Sequence, residues 1–380
     1  MITAKDDLLG HASADHFGDD GQQVTVPVVA DTPHAMFTER YWYMGSLVPS
    51  GNVVLGAGLG YYANRKVMDG YVSVSIGGIQ YAFSGSRACS SDPLEPKIGP
   101  MRLTVEAGLH AHRIELEPNA SGLSLDLRFH SSLPPNDEGR DKVVRNGELV
   151  ADVSRYVQFG HYSGWVQVGQ QRMEIAAEDC WGARDRSWGL RTEARADESS
   201  PPLTRFRPMM FFWLCAQFAD HGIHIFLKED APGKVRSLVA NETYAEASGR
   251  PASVIVQVDH EIEWQDDPFA QRIAGGTLVL HMANGDKKTL QMRALPGWLS
   301  LKAGMYGGFE GWFQGDDKGE LYTAARIWPL EQPDVRRSLR TLAEQVIEFR
   351  EGEQVGYGTI QCGVAQGFAK YPEVQSQPMM

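Results

Sequence analysis

The chain has 380 residues, more than one hydrophobic core usually serves, and its apolar fraction of 42% is enough for two. Lys and Arg number 36 against 48 Asp and Glu, a formal net charge of -12, which argues against nucleic acid or an anionic membrane surface as a partner because both need a concentrated positive field. Cys89, Cys180, Cys215 and Cys362 form no Cys-x-x-Cys pair, no apolar run is long enough to span a bilayer, and the acidic start has no signal-like pattern, so reduced thiols in a soluble cytoplasmic protein are expected.

Residues 1–23 mix Asp, Gly, His and Gln without periodicity and are expected to form a poorly ordered arm. Arg40 to Val48 is rich in aromatic and β-branched residues and stops at Pro49-Ser-Gly-Asn52, after which Val53 to Leu59 returns as a second strand. Tyr71-Val-Ser-Val-Ser-Ile76 alternates with period two, turns at Gly77-Gly78 and pairs with Ile79 to Phe83. The pattern recurs at Met101 to Val105, His112 to Leu116 and Leu123 to Phe129, while the polar, breaker-rich stretch from Pro134 to Asp141 reads as a long loop. A further strand within Val157 to Val168 brings the chain to an expected domain boundary near Gly169.

The second half repeats the style. Arg172 to Ala176, Met209 to Phe218 and Gly222 to Phe226 are strands, followed by Ser253 to Val258. Gly276 to His281 and Lys288 to Met292 are joined through Asn284-Gly285, a strong hairpin signal. Pro333 to Leu342 is the one persuasive helix, with Pro near its first turn, and Val346 to Phe349 pairs with Gln354 to Ile360 around Arg350-Glu-Gly-Glu353. The expectation is an all-β chain: an arm over 1–23, an antiparallel domain over 24–169, and a second over 170–380, each a lipocalin-like barrel or sandwich, with one short helix near the C-terminus.

Nucleotide motifs are missing, since Gly56-Ala-Gly58-Leu-Gly60 lies inside a β region, where close backbone approach or strand bending explains it better. His110 with His112 and His221 with His224 lack companion ligands at metal spacing, so neither a metal nor another cofactor is expected. Cys215, in an aromatic strand without an adjacent base, reads as a protonated core thiol.

One stretch stands apart. Glu178 to Arg191 holds two tryptophans, three arginines, three carboxylates, a cysteine and two glycines. That is too charged for an ordinary core strand and too aromatic for a surface loop. Trp181, Asp185 and Arg191 are its first candidates for a site.

At Asp185-Arg-Ser-Trp-Gly-Leu-Arg191 the chain resembles the two-domain lipocalin-like family of carotenoid hydratases (hydroxyneurosporene synthases) and AttH-type proteins, related to fungal lipocalin-like Diels-Alderases. Glu39-Arg-Tyr-Trp-Tyr43, the glycine-rich hairpin from Gly56 to Tyr62, Met101 to Glu106, His112 to Leu116 and Gly356-Tyr-Gly358 carry the resemblance across most of the chain. It implies a large apolar cavity at or between the β domains and chemistry without a redox cofactor, in which a buried carboxylic acid protonates an alkene and aromatic faces shelter the cation.

On that basis Asp185 and Glu39 are expected to be catalytic. Trp181, Arg186, Trp188, Arg191, Trp213, Tyr43, Tyr61, Tyr62 and Trp312 are expected to bind or position a hydrophobic small molecule. Arg186, next to Asp185, is expected to favour its ionised form. The bland reading of Asp185, Arg186, Trp188 and Arg191 is a buried ion-pair latch between the domains. Three functions are compatible with these residues: a lyase of the hydratase or dehydratase kind acting on an isoprenoid, steroid or polyketide-like compound, an isomerase or cyclase that shapes its substrate, and a binder without chemistry.

Overall fold

The computed structural model describes residues 2–10, 37–89, 94–145, 148–191, 209–339, 343–365 and 367–374. Two bodies of antiparallel strand make up the fold, as the period-two patterning predicts. The first half of the chain supplies β1 (Phe37–Leu47), β2 (Val53–Tyr62), β3 (Val67–Ile76), β4 (Ile79–Ala88), β5 (Lys97–Ile98), β6 (Met101–Ala107), β7 (Ala111–Leu116), β8 (Leu123–Ser131), β9 (Asn136–Arg145), β10 (Glu148–Val168), β11 (Gln171–Ile175) and β12 (Cys180–Arg191). The second supplies β13 (Met210–Gln217), β14 (His221–Ala231), β15 (Lys234–Tyr244), β16 (Ser253–Trp264), β17 (Ile273–Met282), β18 (Lys287–Ser300), β19 (Leu321–Pro329), the helix α1 (Pro333–Ser338), β20 (Ala343–Glu351) and β21 (Gln354–Val364).

The first body is a 13-stranded sheet in the order β19-β4-β3-β2-β1-β12-β10-β8-β7-β6-β5, with β9 and β11 also pairing to β10. It curls around one apolar core to which Tyr43, Leu55, Val72, Phe83, Met101 and Phe129 all contribute. The second is a closed eight-stranded barrel, β13-β14-β15-β16-β17-β18-β20-β21, filled by side chains such as Phe212, Ile225, Leu278, Leu290 and Phe349. Among the described residues, no helix is long and apolar enough to cross a membrane.

The sheets do not divide the chain at Gly169. β12, expected to open the second domain, pairs with β1 on one side and β10 on the other, deep in the first sheet. Residues 321–329, far into the second half, return as β19 and cover β4, which would otherwise present an unpaired edge. The loop expected over 134–141 is instead the start of β9, held against β10 with two register shifts.

The expected N-terminal arm also differs. Residues 11–23 of it lie outside the described part, but residues 2–10 pack into the first sheet, where the Asp7 side chain is completely buried. Its carboxylate accepts from Arg184 through Nη1 and Nη2, both at 2.8 Å, from the Tyr156 hydroxyl at 2.7 Å and from the Leu109 amide at 2.6 Å. His112 Nε2 lies 2.8 Å away, while its Nδ1 is 2.6 Å from the Tyr43 hydroxyl. Burial, reinforced by Arg184, pulls His112 down to about 4, so at neutral pH it is the uncharged imidazole, accepting from Tyr43 and donating to Asp7.

Burial alone would raise the Asp7 carboxyl, but Arg184 and His112 outweigh it and hold the group far below the usual carboxylate range. A carboxylate lowered in the fold contributes stability that is present above its unfolded value near 3.8 and is lost as pH falls below it. Asp7→Asn leaves the Arg184 charge buried and uncompensated, so chemical denaturation at pH 7 is expected to show a loss of about 3–5 kcal/mol, shrinking toward acid pH. An unchanged midpoint would mean that the segment is not docked in solution.

Candidate functional site

Successive side chains of a strand point to opposite faces, and directly paired residues share one. On β12 this rule separates the motif into two groups. Arg184, Arg186 and Trp188 oppose Tyr43, Tyr41 and Glu39 of β1 and face the interior of the first sheet. Ala183 and Asp185 oppose Met44 and Trp42, and their face meets the barrel.

Glu39 and Arg186 form a buried pair on the inner side, with the Gly10 amide 3.1 Å from both Glu39 oxygens and the guanidinium 4.6 Å from the centre of the Tyr41 ring. Glu39 is therefore not beside Asp185, and Arg186 does not pair with Asp185 although it is its chain neighbour. Trp188 packs with Phe37 and Tyr156, and Tyr43 and Tyr61 belong to the core of the first sheet. Tyr62 donates to Asp69 at 3.2 Å with the Arg65 guanidinium over its ring. Of these expected site residues only Tyr62 is on the face of Asp185, where its hydroxyl accepts from Arg40 at 3.2 Å.

Asp185, Trp181, Arg191 and Trp213 do come together, between the sheet and the barrel. Trp42 meets Trp213 edge-on at 5.2 Å between ring centres, and Met44, Phe159, Trp181, Phe226, Leu299 and Val346 complete the apolar contact. The ion-pair latch is here, on residues the motif does not contain. Glu138 of β9 accepts from Arg155 at 2.8 Å and from Trp213 Nε1 at 3.0 Å, and lies 3.1 Å from His224 Nε2. Burial pushes Glu138 up, yet Arg155 and His224 hold it down at about 2, so it stays ionised.

Asp185 lies 3.5 Å from Arg155 Nε, with Arg191 and Arg40 acting on it from farther off. Here burial prevails, reinforced by the Glu138 charge against the pull of Arg155, and Asp185 is pushed up to about 6. Facing it from the barrel is Glu344 of β20, 1% exposed, whose carboxyl oxygens are met by Thr359 Oγ1 at 2.9 Å and by Gln361 Nε2. With no cationic partner to offset burial, and with Asp185 nearby, Glu344 rises to about 8. It carries its proton at neutral pH. Burial likewise pushes the Cys215 thiol well up, as expected of a protonated core cysteine.

The resemblance implies a large cavity, but apolar side chains fill most of this contact. A space of about 20 Å³, room for about one water, remains among Arg40, Asp69, Tyr71, Tyr306 and Trp312, of which Arg40, Tyr71 and Tyr306 are near enough to interact electrostatically with Asp185. The Tyr71 ring fits there because β2 has no side chain at Gly58, where a Cβ would come within 2.6 Å of the ring. A second crevice, of about 80 Å³, reaches Arg155 from its other side between Glu138, Phe226, Lys228 and Val239.

Among the described residues, one group could hold a metal. His221, Glu242 and Glu351 converge at the barrel end, but Lys288 Nζ lies 2.7 Å from Glu242 and 2.9 Å from Glu351. The ammonium thus already supplies the positive charge that a cation would bring.

The curled sheet joined to a closed barrel defines a two-part lipocalin-like β protein. An AttH-like protein of Nitrosomonas europaea shares this fold, with 13% identity over 90% of this chain and 97% of that one, at a TM-score of 0.55. Kievitone hydratase of Nectria haematococca matches at 10% identity over 91% and 95% of the two chains with a TM-score of 0.48, and CghA with Sch210972 at 11% over 87% and 89% with 0.47. No curated protein matches the sequence. Residues 19–367 match a family of unknown function, DUF8625, and the chain belongs to it.

A carboxyl raised in the fold contributes stability below its unfolded value that is lost as pH rises through its folded one, so for Glu344 the window runs from 4.5 to about 8. Glu344→Gln is expected to flatten the decline in melting temperature across that window and to stabilise the protein by a few kcal/mol, on the order of 1.4 kcal/mol for each tenfold displacement of the equilibrium, above pH 8. Identical pH profiles for the variant and the wild type would show that Glu344 ionises normally.

Proposed function

We propose that the protein is a cofactor-independent lyase of the hydratase or dehydratase kind, acting on a hydrophobic isoprenoid, steroid or polyketide-like compound held between the first sheet and the barrel. The observation that carries this reading is a pair of carboxyl groups, the partly buried Asp185 on β12 and the fully buried Glu344 on β20, close enough for the Asp185 charge to act on Glu344. Their environments push them to different extents, which separates the roles of acid and base.

Glu344 is the acid. Its proton, retained at pH 7, passes to an alkene carbon, and the π electrons form the new C–H bond. The faces of Trp42 and Trp213 tolerate the resulting carbocation. Asp185, largely ionised at that pH, takes a proton from the water whose oxygen bonds to the cationic carbon, giving an alcohol. Dehydration is the same sequence reversed. The small space bordered by Arg40, Tyr71 and Tyr306 requires side chains such as Tyr306 to move aside for a substrate of this size.

The test offers prenylated and terpenoid alkenes in ¹⁸O-labelled water and follows labelled alcohol by mass spectrometry. Glu344→Gln and Asp185→Asn are each expected to lower kcat by about 10²–10⁴ with the fold retained by circular dichroism. Full turnover in Glu344→Gln would remove the acid from this scheme. A large fall in melting temperature for Asp185→Asn, with ligand affinity unchanged, would assign Asp185 to structure instead.

A further inference from the structure

The polar groups around Asp185 are mostly donors. The Tyr71 hydroxyl and the Trp42 and Trp181 indole N–H groups are buried and have no acceptor among the described residues, and Arg155 Nε has only the Asp185 carboxylate, 3.5 Å away and too long for a good hydrogen bond. Trp42, Trp181 and Tyr71 are each at most 5% exposed. Arg191 has one described polar contact, a long 3.4 Å bond to the Ser187 hydroxyl, and no carboxylate within ion-pair reach among the described residues. Arg40, Tyr71 and Tyr306 border the small cavity, and Arg155 lines the second crevice.

Unsatisfied buried donors are costly, each about 1–3 kcal/mol, so these donors along the barrel-side face, with the weakly engaged Arg191, point to an acceptor that arrives with a ligand. The charges agree. Arg40, Arg155 and Arg191 act on Asp185 together, Glu138 is already engaged by Arg155 and His224, and Glu344 is neutral at pH 7. The positive field is large enough that burial, with repulsion from Arg40 and Arg155, lowers Arg191 itself to about 10. A neutral hydrocarbon would satisfy neither the donors nor this field.

We propose that the compound bound here carries a planar oxyanion, a carboxylate or the enolate of an acidic enol, on its apolar body, and that Arg191 with Arg155 holds this oxyanion beside Asp185. The inference rests on the reading of this contact as the active site and adds the ionised group of the substrate. Guanidinium geometry suits a planar, two-oxygen acceptor, with the apolar remainder left to the tryptophans. Arg191 is then a specificity residue, and Arg155 serves both the Glu138 latch and the ligand.

The experiment measures tryptophan-fluorescence titrations of the full chain with matched probes at pH 7.5: geranic acid against geraniol, and retinoic acid against retinol. The acids are expected to bind at least tenfold more tightly than the alcohols. Arg191→Gln is expected to bring that ratio close to one with the melting temperature unchanged, and Arg191→Lys to keep part of it. A ratio near one in the wild type, a ratio unchanged in Arg191→Gln, or no binding of either acid overturns the proposal. The ratio is also measured in Glu344→Gln. An acid preference that persists there alongside full turnover refutes the acid-base reading alone, whereas loss of turnover without any acid preference in the wild type refutes this inference alone.

Discussion

β12 is paired along its whole length on both edges, and every other side chain therefore has to go to one of two enclosed spaces. Its charges are distributed accordingly. Arg184 and Arg186 enter the first sheet and meet Asp7 and Glu39, whereas Asp185 enters the contact with the barrel and meets Arg155. A shift of one residue in register would exchange the two groups and strand each charge away from its partner. The folding of the first sheet, the docking of residues 2–10 and the composition of the interface all depend on that register.

The buried carboxyls illustrate how partners decide protonation when burial is common to all. Asp7 has a bidentate arginine, a tyrosine hydroxyl, a histidine and a backbone amide, and stays ionised. Glu138 has an arginine, a histidine and an indole, and also stays ionised. Glu344 has only neutral donors, so desolvation prevails and its proton is retained. Asp185 lies between these cases, only partly buried, with an arginine 3.5 Å away and the Glu138 charge acting against it. Carboxylates held ionised by ion pairs and a carboxyl that keeps its proton thus occur in one fold.

The joint between sheet and barrel is apolar at its centre and charged at one side. Trp42 against Trp213, with Phe159 and Val346, supplies the area, while Glu138 bridges β9 and β10 to β13 and β14. A buried ion pair of this kind specifies the orientation of the two bodies more than it adds to their stability. That orientation is what brings Glu344 opposite Asp185.

Much of the architecture was legible in the sequence. Alternation and turn residues such as Gly77-Gly78 and Asn284-Gly285 are local, so hairpins like β3-β4 and β17-β18 follow from them directly. β9 escaped because its residues are polar and charged, and β15 and β19 because their apolar residues do not alternate cleanly, so that only sheet neighbours make them strands. The motif at 178–191 announced itself through its unusual mixture, and Asp185, Trp181 and Arg191 do share a space with Trp213. Glu39, Arg186 and Trp188 were grouped with them because adjacency in sequence does not reveal which face a strand residue takes until both neighbours are known. Asp7 lay in a stretch without periodicity, and nothing around Glu344 in Ala343-Glu-Gln-Val346 distinguishes it from a surface glutamate. The sequence by itself determined the strand periodicity and a charged aromatic centre. Which carboxyls are ionised was decided only by the tertiary structure, because burial and the identity of the opposing side chain arise from contacts between residues far apart in the chain, 177 positions for Asp7 and Arg184 and 75 for Glu138 and Trp213.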